Sequence, residues 1–192
     1  MNVVAFNGSP RKDGNTAYLL NKVLEPIRAA GIATEIVQVG GTNVRGCRAC
    51  YTCKELQNKR CIIDTDIVNT CLEKMIAADA IILGSPTYFA DVASEMKALI
   101  DRAGFVSHTN GGLFKRKVGA AVVAVRRGGA TNVLDSINKL FLISEMIVPG
   151  STYWNFGIGL EKEAVSKDEE GLQNMANLGE TIAWLMKKIK EA

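Results

Sequence analysis

Short apolar runs that stop at turn residues, with helix-period segments between them, constrain this chain more than any other feature. Val3 to Phe6 ends at Asn7-Gly8-Ser9-Pro10, and Ala80 to Leu83 ends at Gly84-Ser85-Pro86. Lys117 to Val125 runs into Arg126-Arg127-Gly128-Gly129. Runs without polar alternation are strands covered on both faces. Two more strands are predicted at Thr34 to Val39 and Met146 to Val148. Apolar residues at helical spacing predict helices over Thr16 to Ala30, Ile67 to Ile76, Ser94 to Ala103, Thr131 to Ile143 and Asp168 to Glu191.

Strands alternating with helices imply a parallel sheet with helices on both faces. In 192 residues, five strands fit an α/β, flavodoxin-like doubly wound sheet in one domain better than a six-strand dinucleotide fold. A cysteine-containing loop, Gly40 to Asp66, is inserted after the second strand. Composition agrees with a packed core, since 47% of residues are hydrophobic and 22% charged. The net charge of +3 is too small for a concentrated basic face, so nucleic acid is not an expected partner. No apolar run reaches the roughly 18 residues of a membrane helix, so no membrane partner is expected. The N-terminal charges follow the first apolar run, unlike those of a signal peptide. The expected location is the cytoplasm, where disulfides are disfavoured.

In sheets of this kind ligands sit beyond the carboxyl ends of the strands. The first loop, Gly8 to Thr16, brings Ser9, Arg11, Asn15 and Thr16 to the start of a helix. Hydroxyls, an amide, a guanidinium and backbone N–H groups at a helix N-terminus suit a phosphate monoester. The alternative is a turn with Asn15 or Thr16 as helix cap. The segment is neither a dinucleotide fingerprint nor a Walker A loop. Pro86, Thr87, Tyr88 and Phe89 follow another strand, and the two rings can wall a flat aromatic ligand or pack on the sheet edge. Arg126, Gly128 and Gly129 add charge and close backbone approach at a third strand end, or form a solvated turn.

Cys47, Cys50, Cys53 and Cys61 fall in one short segment with spacings of two, two and seven. Four thiolates are the number a [4Fe–4S] cluster takes. Structural zinc and metal-free thiols are the competing readings. Arg45, Arg48, Lys54, Lys59 and Arg60 flank the loop and would offset thiolate charge, or form a solvated face. Cys71 falls on the inward side of its helix and is expected in the core. His108 is expected in a surface loop, Asp66 as a helix cap, and Asp101 and Arg102 in structural pairs at the end of their helix. Trp154, with Tyr153 and Phe156, is expected to pack, the alternatives being to cover a partner subunit or line a ligand pocket.

With these segments read, the chain resembles the iron–sulfur flavoproteins and the wider NAD(P)H-dependent FMN reductase family. The resemblance rests on Gly8-Ser9-Pro10-Arg11 with Gly14-Asn15-Thr16, the cysteine cluster with Cys61-Ile62-Ile63-Asp64, Gly84 to Phe89, and Lys97 to Arg102. It implies FMN, with the phosphate on Ser9, Arg11, Asn15 and Thr16 and the isoalloxazine bordered by Pro86 to Phe89. The Arg126 to Gly129 loop looks shorter than the family's usual version. The resemblance also implies a homodimer or homotetramer that sets a neighbour beside the flavin. The implied activity is an FMN-dependent oxidoreductase or electron-transfer flavoprotein, passing electrons between a [4Fe–4S] cluster and FMN, with a ferredoxin-type redox partner. One alternative is a cluster-free reductase taking NAD(P)H and acting on quinones, nitro compounds or metal ions. Another is a non-enzymatic flavin- or zinc-binding sensor. Electron transfer through a flavin needs no side-chain acid or base, so no catalytic residue is assigned.

Overall fold

The computed structural model describes residues 1–191. Five parallel strands form one sheet in the order β2-β1-β3-β4-β5. They are β1 (Asn2–Asn7), β2 (Ala33–Gln38), β3 (Ala80–Pro86), β4 (Val118–Val125) and β5 (Phe156–Ile158). The helices are α1 (Asn15–Ala29), α2 (Thr52–Leu56), α3 (Val68–Ala77), α4 (Ser94–Thr109), α5 (Ala130–Ile143) and α6 (Glu169–Glu191). Strand order reverses between β1 and β3, which opens a ligand crevice at their carboxyl ends in folds of this kind.

The period-two alternation of each strand divides its residues between two cores. Val3, Ala5, Ile82, Ala120 and Val122 pack under α1 and α6. Val4, Phe6, Ile81, Leu83, Ala121 and Val123 pack under α3, α4 and α5. The central strands β3 and β4 are buried on both faces, which is why they read as continuous apolar runs. No described helix is long and apolar enough to cross a membrane.

The fifth strand differs from the sequence expectation. Met146 to Val148 makes a single bridge, Ile147 to Val118, at the amino end of β4. Pro149 follows two residues later and has no N–H to extend a ladder. The fifth strand is instead Phe156–Ile158, paired with Val123 to Val125 at the carboxyl end of β4. Three residues with a central glycine give little periodic signal. Helix α4 also runs on to Thr109, so His108 lies exposed in its last turn and not in a loop. Between β2 and α3 the cysteine segment folds around α2, which carries Cys53.

Candidate flavin and iron–sulfur sites

Helix α1 begins after Gly14 with no side-chain cap. Neither Asn15 nor Thr16 caps it, so the first-turn N–H groups stay available to an anion. Asn15 turns its amide the other way, with Nδ2 donating to the carbonyls of Gly159 at 3.1 Å and Glu161 at 2.9 Å. Its Oδ1 is buried without a partner. Ser9 is buried and its Oγ accepts the Arg11 N–H at 3.2 Å, whereas the Arg11 side chain is exposed. Thr16 is buried. Arg11, Lys12, Asp13 and Gly14 face Glu161 and Lys162 across a cleft of about 400 Å³.

The loop is held from beneath by residues that sequence reasoning missed. Asn7 Nδ2 donates to Gln38 Oε1 at 2.8 Å, and Asn7 Oδ1 accepts the Ser9 N–H at 3.0 Å. Gln38 Nε2 then donates to the carbonyls of Ser9 and Gly40, both at 2.6 Å. Gly40 lies directly on this loop, where an added Cβ would stand 2.3 Å from Gly8 O and Ser9 C. Both obstacles are backbone, so Gly40→Ala must displace the loop. The expected cost is about 1–3 kcal/mol of stability, together with weakened FMN binding. Denaturant unfolding and fluorescence titration check the two effects.

At the end of β3, Tyr88 and Asp91 exchange backbone hydrogen bonds at 3.0 Å across Phe89 and Ala90. Phe89 and Ala90 have φ of +47° and +61°. Two non-glycine residues in this left-handed region make a strained turn. It projects Phe89 wholly into solvent and leaves Tyr88 exposed, so neither ring packs on the sheet edge. Thr87 Oγ1 is buried and unpartnered. Gly129, at φ +90°, caps the approach of the β4–α5 loop, since a Cβ there would stand 2.8 Å from Ala90 Cα. Arg126 and Gly128 are exposed beside it, and Pro86 is half-buried. The loops after β3 and β4 therefore meet. Exposed rings at these strand ends, the uncapped start of α1 and the unpartnered Asn15 Oδ1 and Thr87 Oγ1 suit a phosphorylated aromatic ligand.

The cysteines form a separate cluster. Cys47, Cys50, Cys53 and Cys61 line one cavity together with Arg48, Tyr51, Arg102, Phe105 and Val106. Three of the four sulfurs are hydrogen-bond acceptors. Cys47 Sγ accepts the Ala49 N–H at 3.4 Å, and Cys50 Sγ accepts the Thr52 hydroxyl at 3.5 Å. Cys61 Sγ accepts Arg102 Nε–H at 3.3 Å, whereas the Thr109 hydroxyl near Cys53 donates to Phe105 O at 2.9 Å. The Thr52 hydroxyl, aided by its N–H, lowers the Cys50 thiol from its ordinary value. Cys71 is buried in the core as expected, and burial pushes its thiol up to about 12. Among the described residues, no three His, Cys, Asp or Glu side chains are gathered closely enough to hold a metal ion. The four cysteines on this cavity are nonetheless the donor set that a [4Fe–4S] cluster takes.

The loop is strained and tightly tethered. Ala49, Tyr51, Gln57 and Lys59 all have φ between +51° and +61°. Asn69 Oδ1 accepts the Cys61 N–H and its Nδ2 donates to Cys61 O, both at 2.9 Å. Asn110 Nδ2 donates to Cys53 O at 3.1 Å, and its Oδ1 accepts the Lys59 N–H at 2.9 Å. These tethers hold the strained backbone in place. Of the flanking cations, Arg60 does not serve the cavity, because it pairs with Glu73 and Asp64 on the surface.

The buried cation is Arg102, whose side chain is 0% exposed in the middle of α4. It was expected in a pair at the helix end. Both residues do pair, Asp101 with Lys97 at 2.5 Å on the surface and Arg102 inward with Asp66, but in the middle of the longer helix. Asp66 joins the amino end of α3, accepting the Val68 N–H at 3.1 Å on Oδ1, and the Arg45 N–H at 3.1 Å on Oδ2. Burial works against its charge, but hydrogen bonds from Arg102, Arg45 and Val68 outweigh it and hold the carboxyl below the usual carboxylate range. Tyr153 and Trp154 are exposed, but Tyr153 packs against both Trp154 and half-buried Phe156, with ring centroids 4.7 and 6.2 Å apart.

Comparison with known proteins agrees with this geometry. Residues 1–161 match the family described as NADPH-dependent FMN reductase. The chain is 38% identical to an iron–sulfur flavoprotein of Methanocaldococcus jannaschii, covering 100% of both. It is 32% identical to an iron–sulfur flavoprotein of Methanosarcina thermophila, covering 100% of this chain and 98% of that one. A WrbA-like flavodoxin of Agrobacterium tumefaciens shares the fold, with a TM-score of 0.67 at 15% identity over 97% of this chain and 98% of that chain. The chain thus belongs to the NADPH-dependent FMN reductase family, flavin-dependent oxidoreductases on a flavodoxin-like fold.

Proposed function

We propose that the protein is an iron–sulfur flavoprotein that passes single electrons between a [4Fe–4S] cluster and FMN. The observation that carries this reading is four cysteines on one cavity, with the sulfurs of Cys47, Cys50 and Cys61 already hydrogen-bond acceptors. Cys47, Cys50, Cys53 and Cys61 would hold the cluster. The uncapped first turn of α1 and the guanidinium of Arg11 would bind the FMN phosphate, with Ser9 and Thr16 lining the loop. Pro86, Thr87, Tyr88 and Phe89 would border the ring system, and Arg126, Gly128 and Gly129 would close its edge. The flavin and cluster supply the electron exchange when bound. The protein's own residues position them, and no side chain moves a proton.

Helix α4 links the two sites. Its amino end follows the Tyr88–Asp91 turn, and its middle carries Arg102 to the cysteine cavity. Arg102 lies eight residues beyond Ser94, about 12 Å along the helix axis. A homodimer or homotetramer, with a ferredoxin-type carrier as electron partner, belongs to the same reading. A second reading, cluster-free reduction of quinones, nitro compounds or metal ions by NAD(P)H, is favoured by the exposure of Cys47 and Cys50. The visible spectrum of anaerobically prepared protein separates them. Flavin bands with a broad cluster shoulder support the first, and flavin bands alone support the second.

Arg11→Ala tests the phosphate assignment. Loss of a charge-assisted bond is expected to weaken FMN by about 1–3 kcal/mol. Unchanged affinity in a fluorescence titration would remove Arg11 from the site.

A further inference from the structure

We propose that Arg102 is a positioning residue that sets the reduction potential of the cluster through its bond to Cys61. The inference rests on the cluster reading given above. Arg102 Nε–H points at Cys61 Sγ at 3.3 Å. Its other nitrogens are committed elsewhere, NH1 to Arg45 O at 3.1 Å and to Asp66, NH2 to Ile63 O at 2.8 Å. A guanidinium has five N–H donors in a rigid fork, so these partners fix the direction of Nε–H. Cys47 and Cys50 accept only neutral donors, an amide and a hydroxyl. Cys61 alone receives a donor from a cation.

The side chains of Arg102 and Asp66 are 0% and 2% exposed, so water does not screen the contact. Arg102 and Asp66 cancel each other's charge at a distance. Close to Cys61, the nearer Nε–H dominates and draws electron density from the sulfur. A donor bond to a ligating sulfur favours the more negative, reduced state of the group and raises its potential. Removing that bond lowers the potential, while removing the Asp66 charge exposes the cation and raises it. A residue that only holds the loop in shape would not produce shifts of opposite sign.

The test uses anaerobically prepared, FMN-loaded wild type, Arg102→Lys and Asp66→Asn. Redox titration followed by EPR reads the cluster, and the flavin bands read FMN in the same sample. For Arg102→Lys the ratio of reduced to oxidised cluster at a fixed potential is expected to fall about tenfold, equivalent to about 59 mV for one electron. For Asp66→Asn the ratio is expected to rise, with FMN unmoved in both. Arg102→Lys that retains iron with an unchanged ratio would overturn the inference, as would a fall in Asp66→Asn. Where a variant loses its iron, pulsed EPR on reduced wild type labelled with 15N-arginine decides. Nitrogen coupling to the cluster is expected, and its absence overturns the inference. Wild type lacking iron would overturn the cluster reading itself and is recognised before any variant is measured.

Discussion

Replacing Cys50 by serine is expected to remove most of the iron and acid-labile sulfide from anaerobically prepared protein while leaving FMN bound. A [4Fe–4S] cube takes four thiolates, and the cavity offers Cys47, Cys50, Cys53 and Cys61. Cys71 cannot substitute, because it is buried in the core with its thiol pushed up to about 12. A hydroxyl in place of Cys50 also loses the soft donor that iron–sulfur chemistry requires. FMN binding should survive because the loop proposed for its phosphate, Gly8 to Thr16, is a different stretch of chain with its own support from Asn7 and Gln38. Iron, sulfide and flavin assays on the same preparation check this. Retention of iron and sulfide at wild-type levels would exclude Cys50 as a ligand.

Asp66→Ala is expected to cost about 3–5 kcal/mol of stability, because it leaves a buried guanidinium without its counter-charge. It also strips acceptors from the Arg45 and Val68 N–H groups. The double replacement Asp66→Leu with Arg102→Met should cost less than the sum of the two single changes, since neither charge is then stranded. The pH dependence has a definite sign. The carboxyl is held below its ordinary 3.8 in the folded state, so its contribution is fully present above that value. It is lost as pH falls through the lower folded value. The gap between wild type and Asp66→Ala should therefore be constant above about pH 5 and shrink in stronger acid. Urea unfolding at several pH values measures it. A gap that grows below pH 3.8 would contradict the assigned pair.

What the sequence revealed is local. The strand-end loops and four cysteines are legible because their chemistry lies in adjacent residues. Arg102 forms the structural pair expected of it, but its buried site was missed because its partners, Arg45, Cys61, Ile63 and Asp66, lie 36 to 57 residues away. A signal was present, since Leu99, Ala103 and Val106 place Arg102 on the buried stripe of α4. A charge on such a stripe needs a partner. Gln38, Asn69 and Asn110 likewise read as ordinary polar residues, and only the fold sets their amides against the backbone of the two loops. The fifth strand was misplaced because an apolar triplet ending at Pro149 outweighed a glycine-centred one that tertiary pairing selects.

The central claim is one FMN and one [4Fe–4S] cluster on each chain. Iron, acid-labile sulfide and FMN per chain, assayed on wild type purified without oxygen, tests it most directly. The account expects about four iron, about four sulfide and about one FMN. One FMN with no iron or sulfide would contradict it and leave a cluster-free flavin reductase.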